Sequence, residues 1–273
     1  MTRIHPTAVV AAGAQLADDV EIGAYCFVGE EATIEPGVRL HAHVVVDGRT
    51  HIGASTQVHP FASLGQPPQY VGFNRPHSGL EIGTGNVIRE YVTMNGGTSL
   101  DKVPTHVGSN GYFMTGVHIA HDCWIGSNVT MANHATLGGH VSIGDYVNIG
   151  GLTAIHQYCR IGKHAMVGGC SAVSQDVVPF AMAVGNRARL RGLNVVGLKR
   201  RGVARADVHR LRQAYRALFF GPGTFRERLE IVAGEFAADG LVTQVIEFIR
   251  AGGARPLTMA IQRNEPSGAI AGA

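Results

Sequence analysis

Large apolar residues recur at every sixth position along most of the chain. The series runs through residues 4–64, resumes over 82–94, and resumes again over 107–173. A glycine often follows the large residue, and a small or β-branched residue often stands four places after it. A period of six matches neither the alternation of an ordinary strand nor the turn of an α-helix, but it is typical of a hexapeptide β-helix.

This period predicts a left-handed parallel β-helix. Each hexad supplies one short strand and one turn, and three hexads close a triangular coil of about 18 residues. Successive coils stack ~4.8 Å apart through parallel hydrogen bonds. The large side chains fill the interior, so any binding or catalysis must lie on the outside, in a groove between prisms. The pattern therefore also predicts an oligomer, most simply a homotrimer.

Two segments interrupt the predicted β-helix, which we place at residues 1–179. Residues 66–79 read QPPQYVGFNRPHSG and residues 96–104 read GGTSLDKVP. Insertions in a solenoid become loops that project from one face and often line a binding site. The alternative is that they are tolerated surface decoration.

Helical periodicity replaces the six-residue period in the second region, 180–273. We predict a linker over 180–203, a helix over 206–220, a second helix capped by Thr224 and Glu227, and a third around 241–251. The tail after about Gly252 is small and polar and is expected to be loose. The fold class is thus a β-helix with a small C-terminal α-helical domain.

Composition and charge exclude several classes of protein. Apolar residues make up 45% and charged residues 16%, with 37 glycines, which is typical of a globular protein rich in turns. The net charge of +3 is too small to indicate nucleic-acid binding. No stretch approaches the ~20 apolar residues of a transmembrane segment. The N-terminus already follows the repeat, so it is not read as a signal peptide, and the four cysteines lack CxxC spacing, which favours the cytoplasm.

Histidines concentrate between residues 118 and 156. His121 and His140 are one coil plus one residue apart, so they are expected to lie side by side on adjacent coils. Asp122 is placed to orient the His121 imidazole, which is suited to act as a general base. Gly138 and Gly139 precede His140, and a bare backbone N–H there could stabilise an oxyanion. The alternative for any single histidine is an ordinary surface hydrogen bond.

Basic residues concentrate where the repeat gives way to the first long helix. Such a surface suits phosphate groups or an acidic protein partner, and its alternative is a solvated helix face. The cluster consists of Lys199, Arg200, Arg201, Arg205, Arg210, Arg212 and Arg216.

Several motifs resemble those of UDP-N-acetylglucosamine O-acyltransferases, the family that takes the first step of lipid A synthesis. They are HIAHDC (118–123), GGH (138–140), IHQYCRIG (155–162), MVGGCSAVSQDV (166–177) and NVVGLKRRG (194–202). The resemblance covers essentially the whole chain. It implies transfer of a 3-hydroxyacyl group from acyl carrier protein to the sugar 3-position by a trimer, with no cofactor and no metal.

The resemblance also implies roles for individual residues. His121 would be the general base, Asp122 would orient it, and the Gly139 N–H would hold the oxyanion. The remaining site residues would line the site, contact the nucleotide or, at Gly169, leave room for the acyl chain. They are His118, His140, His156, Gln157, Gly169, Asn194, Arg200 and Arg201.

The sequence departs from the family pattern at two places. The first loop commonly carries Asp-Leu-Lys after Pro-Pro-Gln, whereas here Gln69 is followed by Tyr70, Val71 and Gly72. Further on, Val196 stands where the family usually has a nucleotide-facing glutamate. We therefore keep open an altered acceptor, such as a 3-amino sugar nucleotide.

Two other functions stay open at this point. One is a non-catalytic protein that binds a sugar nucleotide or a carrier protein. The other is a zinc hydro-lyase of the γ-carbonic anhydrase type, which uses the same prism and would take its ligands from the histidine cluster.

Overall fold

The computed structural model describes residues 1–261 and shows three parallel sheets wound into one triangular prism. Most strands are very short, and each side of the prism stacks strands from successive coils. A few helices follow at the C-terminal end. The predicted left-handed parallel β-helix with C-terminal helices is confirmed.

Three sheets form the sides of the prism. The strands of sheet 1 are Arg3–Ile4, Glu21–Ile22, Arg39–Leu40, Gln57–Val58, Val87–Ile88, Tyr112–Phe113, Thr130–Met131, Asn148–Ile149, Met166–Val167, Ala181–Val184 and Arg189–Leu193. Those of sheet 2 are Val9–Val10, Phe27–Val28, Val45–Val46, Ser63–Gln66, Thr93–Asn95, His118–Ile119, Thr136–Leu137, Ala154–Ile155 and Ala172–Val173. Those of sheet 3 are Gln15–Leu16, Thr33–Ile34, Thr50–Ile52, Leu80–Ile82, Thr105–Val107, Trp124–Ile125, Ser142–Ile143 and Arg160–Ile161.

The register between coils follows the predicted repeat of three hexads. Trp124 of sheet 3 pairs with His106 on one side and with Ser142 on the other, and both partners are one coil away along the chain. The two insertions change this spacing, because Leu80 pairs with Thr50 and with Thr105, each of which lies farther away than one regular coil. Each insertion thus lengthens a single coil and then returns the chain to the same strand position.

The large residue of each hexad forms the core. From Ile22 to Val173 these side chains are at most 3% exposed, and Cys26, Cys123 and Cys159 occupy the buried small position. The first coil is the open end of the prism, since Ile4 is 47% exposed.

The predicted linker over 180–203 is wrong. Ala181–Val184 and Arg189–Leu193 form an antiparallel hairpin that extends sheet 1, and helix α1 (Val195–Arg200) follows it. The hairpin is an ordinary antiparallel ladder without a six-residue period, so the repeat could not reveal it. Asn194 begins α1 by accepting a hydrogen bond from the Gly197 N–H.

The three predicted helices are present. They are α2 (Arg205–Phe220), α3 (Phe225–Glu235) and α4 (Gly240–Arg250). Thr224 and Glu227 form the predicted capping box of α3. The apolar stripe of α2 is buried against the neighbouring helices and the end of the prism. Within residues 1–261, no helix is long and apolar enough to cross a membrane.

The residues after Gly252 differ from the expected loose tail as far as residue 261. The Asp176 N–H donates to the Pro256 carbonyl, and the Thr258 N–H donates to the Asp176 carbonyl, each at 2.8 Å. Thr258 is 1% exposed. These residues are therefore hydrogen-bonded to the last coil. The rest of the predicted tail, 262–273, lies outside the described residues.

Truncating one interior aliphatic residue tests the core. Ile125 is completely buried, so Ile125→Ala removes packed methyl groups and leaves a cavity. We expect the free energy of unfolding to fall by about 2–5 kcal/mol, measured by denaturant titration. The matched control is Ile231→Ala, since Ile231 lies on α3 and is 62% exposed. An equal loss of unfolding free energy in both variants would contradict the placement of Ile125 in the interior of the prism.

Candidate active site

The histidine cluster lies on the corner of the prism between sheets 2 and 3. His121 and Asp122 form the turn after the strand His118–Ile119, and His140 occupies the next turn up. Asp122 and His140 are in the left-handed region, with φ of 56° and 60°. The His121 and His140 rings are 5.2 Å apart and nearly perpendicular, so their predicted adjacency is confirmed.

Asp122 connects the two histidines. Its Oδ2 lies 2.7 Å from His121 Nδ1 and 3.5 Å from His140 Nε2. The side chain is only 7% exposed. An ionised carboxylate can only accept hydrogen bonds, so His121 Nδ1 must carry the proton. The Nε2 of His121 is then the free basic nitrogen.

The carboxyl of Asp122 is ionised despite its burial. Burial raises the pKa, but hydrogen bonds from His121 and from the Thr98 backbone outweigh this effect and lower the pKa to about 2. His140 and His118 are held neutral more readily than a free imidazole, because burial lowers the pKa of each. The site thus combines one fixed negative charge with imidazoles that favour the neutral form.

Both inserted loops reach this corner. Tyr70 of the first loop packs edge-on against His121, with ring centroids 6.0 Å apart. Thr98 of the second loop donates its backbone N–H to Asp122 Oδ1 at 3.0 Å. The two loops are joined where the Gly97 N–H donates to the Gly79 carbonyl at 2.9 Å. The insertions therefore line the site, as predicted, and are not surface decoration.

Gly139 lies directly against the His121 ring. A Cβ at this position would be 2.4 Å from His121 Cε1 and 2.7 Å from Nε2, so only glycine fits. The Gly139 carbonyl accepts from the Tyr158 N–H at 3.1 Å. Within residues 1–261, the Gly139 N–H has no hydrogen-bond acceptor. A free donor beside a basic nitrogen suits an oxyanion.

The other predicted histidines lie above and below this cluster. His118 Nδ1 contacts Thr93 Oγ1 at 2.7 Å. His156 is exposed, and its Nδ1 contacts Arg255 at 2.7 Å. Gln157, also exposed, follows it. Within residues 1–261, His156 forms no hydrogen bond with His121, although both lie on the corner between sheets 2 and 3.

Three of the predicted nucleotide-contacting residues lie on a different side of the prism, and the fourth, Gln157, lies on the same corner as His121. Arg200 and Arg201 line a groove of ≈ 670 Å³ along sheet 1 and α1, together with Val196. The Arg201 guanidinium stacks 5.0 Å above the Tyr146 ring. Asn194 is 9% exposed, and both ends of its amide bond to backbone atoms, of His164 and of Gly197. Its side chain thus has a structural role in capping α1.

Gly169 faces the backbone of Gly151, one coil earlier in the chain. A Cβ there would meet only the Gly151 backbone, at 3.2 Å from the oxygen.

The basic cluster is partly neutralised, because Arg210 forms ion pairs with Asp207 and Asp239. Lys199, Arg205 and Arg212 line a separate groove of ≈ 390 Å³.

Comparison with known proteins identifies the family. A relative from Azorhizobium caulinodans, named acyl-[acyl-carrier-protein]–UDP-N-acetylglucosamine O-acyltransferase, is 56% identical over 93% of this chain and 94% of its own length. A relative of the same name from Caulobacter vibrioides is 51% identical over 94% of this chain and 97% of its own.

The chain belongs to the UDP-N-acetylglucosamine O-acyltransferase family.

Other comparisons agree with this assignment. A family model described as "Udp N-acetylglucosamine O-acyltransferase; Domain 2" matches residues 176–258. The structure of LpxA from Acinetobacter baumannii aligns with a TM-score of 0.89 and 37% identity, over 93% of this chain and 99% of that one. UDP-N-acetylglucosamine acyltransferase from Campylobacter jejuni aligns with a TM-score of 0.88 and 40% identity, over 95% and 100%.

Sequence reasoning missed several residues of this candidate site. Tyr158 stacks on His140 with ring centroids 4.5 Å apart, and their spacing of one regular coil could have revealed it. Tyr70 and the Thr98 N–H come from the inserted loops, which follow no period. Thr105 Oγ1, which accepts from the Asp122 N–H at 2.9 Å, comes directly after the second loop.

The triad His121, Asp122 and His140 also resembles a metal site. One ligand atom from each lies within 4.8 Å of the others. However, the His121–Asp122 pair is 2.7 Å apart, as in a hydrogen bond, whereas two ligands of a tetrahedral zinc stand roughly 3.4 Å apart. The geometry therefore favours an imidazole–carboxylate pair over a zinc hydro-lyase.

The low pKa of Asp122 predicts a pH-dependent contribution to stability. A carboxyl whose pKa falls from 3.8 to about 2 on folding stabilises the fold above about pH 4, and this contribution disappears as the pH falls through about 2. We expect Asp122→Asn to lower the free energy of unfolding at pH 7 by on the order of 2 kcal/mol.

Urea titrations at pH 7 and at pH 3 measure this difference. The difference in the free energy of unfolding between wild type and Asp122→Asn should be smaller at pH 3 than at pH 7. The control is Asp18→Asn, since Asp18 is exposed. Its free energy of unfolding should equal that of wild type at both pH values. A loss of unfolding free energy in Asp122→Asn that is the same at both pH values would contradict the prediction.

Proposed function

We propose that this protein transfers a 3-hydroxyacyl group from acyl carrier protein to the 3-position of UDP-N-acetylglucosamine or a close analogue, in the cytoplasm, as the first step of lipid A synthesis. The observation that carries the proposal is the pairing of His121 with the buried, ionised Asp122 directly beside the Gly139 N–H. This arrangement supplies a base, its orienting group and an oxyanion donor within one corner of the prism.

The chemistry follows from these positions. His121 Nε2 removes the proton of the acceptor hydroxyl as its oxygen attacks the thioester carbonyl carbon. The negative charge that develops on the carbonyl oxygen is stabilised by the Gly139 N–H. The intermediate then expels the carrier protein's thiolate, which takes the proton back from the His121 imidazolium. Asp122 stabilises that imidazolium without becoming protonated.

The partial burial of the histidines at this corner supports this role for the site. The two loops shield His121 and Asp122 on one side, and His118 contributes a further imidazole next to His121. Exclusion of water strengthens the interactions with the developing charge. It also protects the acyl group from hydrolysis.

The position of the basic groove supports a trimer. Arg200 and Arg201 lie along sheet 1, whereas His121 lies on the corner between sheets 2 and 3. One prism therefore does not bring the base and the arginines together. A neighbouring copy related by a three-fold axis can place its arginine groove against this corner, because such an interface joins two different surfaces.

A changed acceptor is a second candidate, and one observation favours it. Where the family pattern has Asp and Lys in the first loop, this chain places Tyr70 against His121. Val196, exposed in the arginine groove, replaces a glutamate. The loss of these charged groups weakens recognition of the ordinary sugar nucleotide and is compatible with a 3-amino sugar. A protein that only binds these ligands would not need the His121–Asp122 pair.

Acyl transfer by purified protein tests the base and the acceptor together. A panel of 3-hydroxyacyl carrier proteins is offered with UDP-N-acetylglucosamine and with its 3-amino analogue. We expect kcat/KM to fall at least ~10²-fold in His121→Ala, because the base is removed. The control is His134→Ala, at an exposed histidine on another corner, which should keep wild-type activity.

The panel also separates the candidates. Wild-type turnover of the 3-amino analogue with weak use of UDP-N-acetylglucosamine assigns the altered acceptor. Equal turnover of the ordinary sugar at an ordinary KM would exclude it. Absence of transfer to either sugar by folded protein would leave the non-catalytic binding function.

Mixing two inactive variants tests whether the site is shared between copies. His121→Ala and Arg201→Ala are each expected to be inactive alone. After unfolding and refolding together, randomly mixed trimers should regain about one quarter of wild-type activity, since that share of sites has both intact residues. Recovery that does not exceed the two variants refolded separately would show that base and arginine act from the same copy or not at all.

A further inference from the structure

The chain after α4 returns to the prism as an ordered segment, which we name the C-terminal strap (residues 252–261). Its backbone brackets Asp176, which donates to Pro256 and accepts from Thr258. Its Met259 carbonyl accepts from the Leu190 N–H at 3.1 Å, which ties it to the hairpin as well. The path of the strap across the last coils is therefore fixed at several points.

The strap crosses the last coils next to a buried ion pair between Arg160 and Asp176. Arg160 Nε lies 2.7 Å from Asp176 Oδ2, and the Asp176 side chain is completely buried. A second guanidinium nitrogen of Arg160 donates to the Phe248 carbonyl at 3.2 Å. A Cβ at Gly253 would lie 2.5 Å from Arg160 Nε, so only glycine can pass against the pair. Shortly after this glycine the strap reaches the corner between sheets 2 and 3.

At that corner Arg255 bonds to two of the residues assigned to substrate binding. Its Nη2 lies 2.7 Å from His156 Nδ1, and its Nε donates to the Gln157 carbonyl at 3.0 Å. A guanidinium has donors and no acceptor, so His156 Nδ1 must accept. His156 is then the neutral tautomer that carries its proton on Nε2. Nδ1 and the Gln157 oxygen are 3.2 Å apart, and the shared guanidinium offsets their mutual repulsion.

The Gln157 carbonyl is the end of a hydrogen-bonded column of peptide groups that descends to the base. The same peptide donates the Tyr158 N–H to the Gly139 carbonyl at 3.1 Å. The next peptide donates the His140 N–H to the His121 carbonyl at 3.0 Å. The last donates the Asp122 N–H to Thr105 Oγ1 at 2.9 Å.

These three peptides point the same way. Their carbonyl groups face the C-terminal end of the prism, and Arg255 places a positive charge against the uppermost one. Aligned peptide dipoles are stabilised by a cation at their carbonyl end, as at the end of a helix. Hydrogen bonds in such a chain also polarise and strengthen one another. The column includes the backbone of both Gly139 and His121.

We propose that Arg255 is a positioning residue for acyl transfer, which fixes His156 as the Nε2–H tautomer and anchors the peptide column that carries Gly139 and His121. The inference rests on the proposed function of that corner. It assigns the C-terminal strap a role in the reaction, although Arg255 itself does not act on the reacting atoms. Removal of the guanidinium therefore lowers kcat more than it raises KM for the carrier protein.

The test compares full-length Arg255→Met, Arg255→Lys and, as matched control, Arg250→Met, whose arginine pairs with exposed Glu230 on the helices. Kinetics with acyl carrier protein and sugar nucleotide give kcat and KM, and thermal unfolding gives Tm. The ¹⁵N shifts of the His156 ring, assigned with His156→Gln, report the tautomer without any substrate.

We expect Arg255→Met to lower kcat about tenfold, as for small misplacements of a catalytic group. Its Tm should match that of Arg250→Met, and His156 should become a mixture of tautomers. Arg255→Lys should recover only part of kcat, because an ammonium cannot donate in the same fixed fork.

Two results would overturn the proposal. One is an unchanged kcat and an unchanged His156 tautomer in Arg255→Met. The other is a loss of activity that merely follows a fall in Tm, with the tautomer unchanged. If wild type transfers no acyl group, the proposed function fails, and the ¹⁵N shifts alone still decide whether Arg255 fixes His156.

Discussion

The fixed advance of three hexads per coil is the constraint on which the rest of the structure depends. Each backbone hydrogen bond between coils requires a residue to lie over its equivalent one coil earlier. Side chains on the outside are therefore stacked as strictly as those in the core, and the turn residues form vertical rows on each corner. The active-site candidate is a short length of one such row, in which His140 and Tyr158 stack above Asp122.

The same constraint explains what could be predicted from the sequence. Because the coil length is fixed, the spacing of His121 and His140 is enough to place them together, and the six-residue period is enough to give the fold. Tyr70, the Thr98 N–H and Arg255 lie in loops or in the strap, where no period relates sequence distance to position. The hairpin at 181–193 escapes prediction for the same reason, since antiparallel pairing follows another rule than the hexad.

The candidate site combines two kinds of support. The proposed base and the proposed oxyanion donor belong to the regular ladder, where a side chain on Gly139 would collide with His121. The negative charge of Asp122 depends instead on the second loop, because the Thr98 N–H supplies one of the hydrogen bonds that keep the buried carboxyl ionised. Regular backbone thus holds the proposed reacting groups, and irregular backbone adjusts their electrostatics.

The two insertions leave the helical ladder and rejoin it at the same strand position. A change in the length or composition of either loop therefore does not propagate into the coils above or below. In evolutionary terms, the loops at this corner can diverge while the coil register that sets His121 beside His140 is kept. A change that removes the Thr98 N–H is the exception, since it would reach the site through the charge of Asp122.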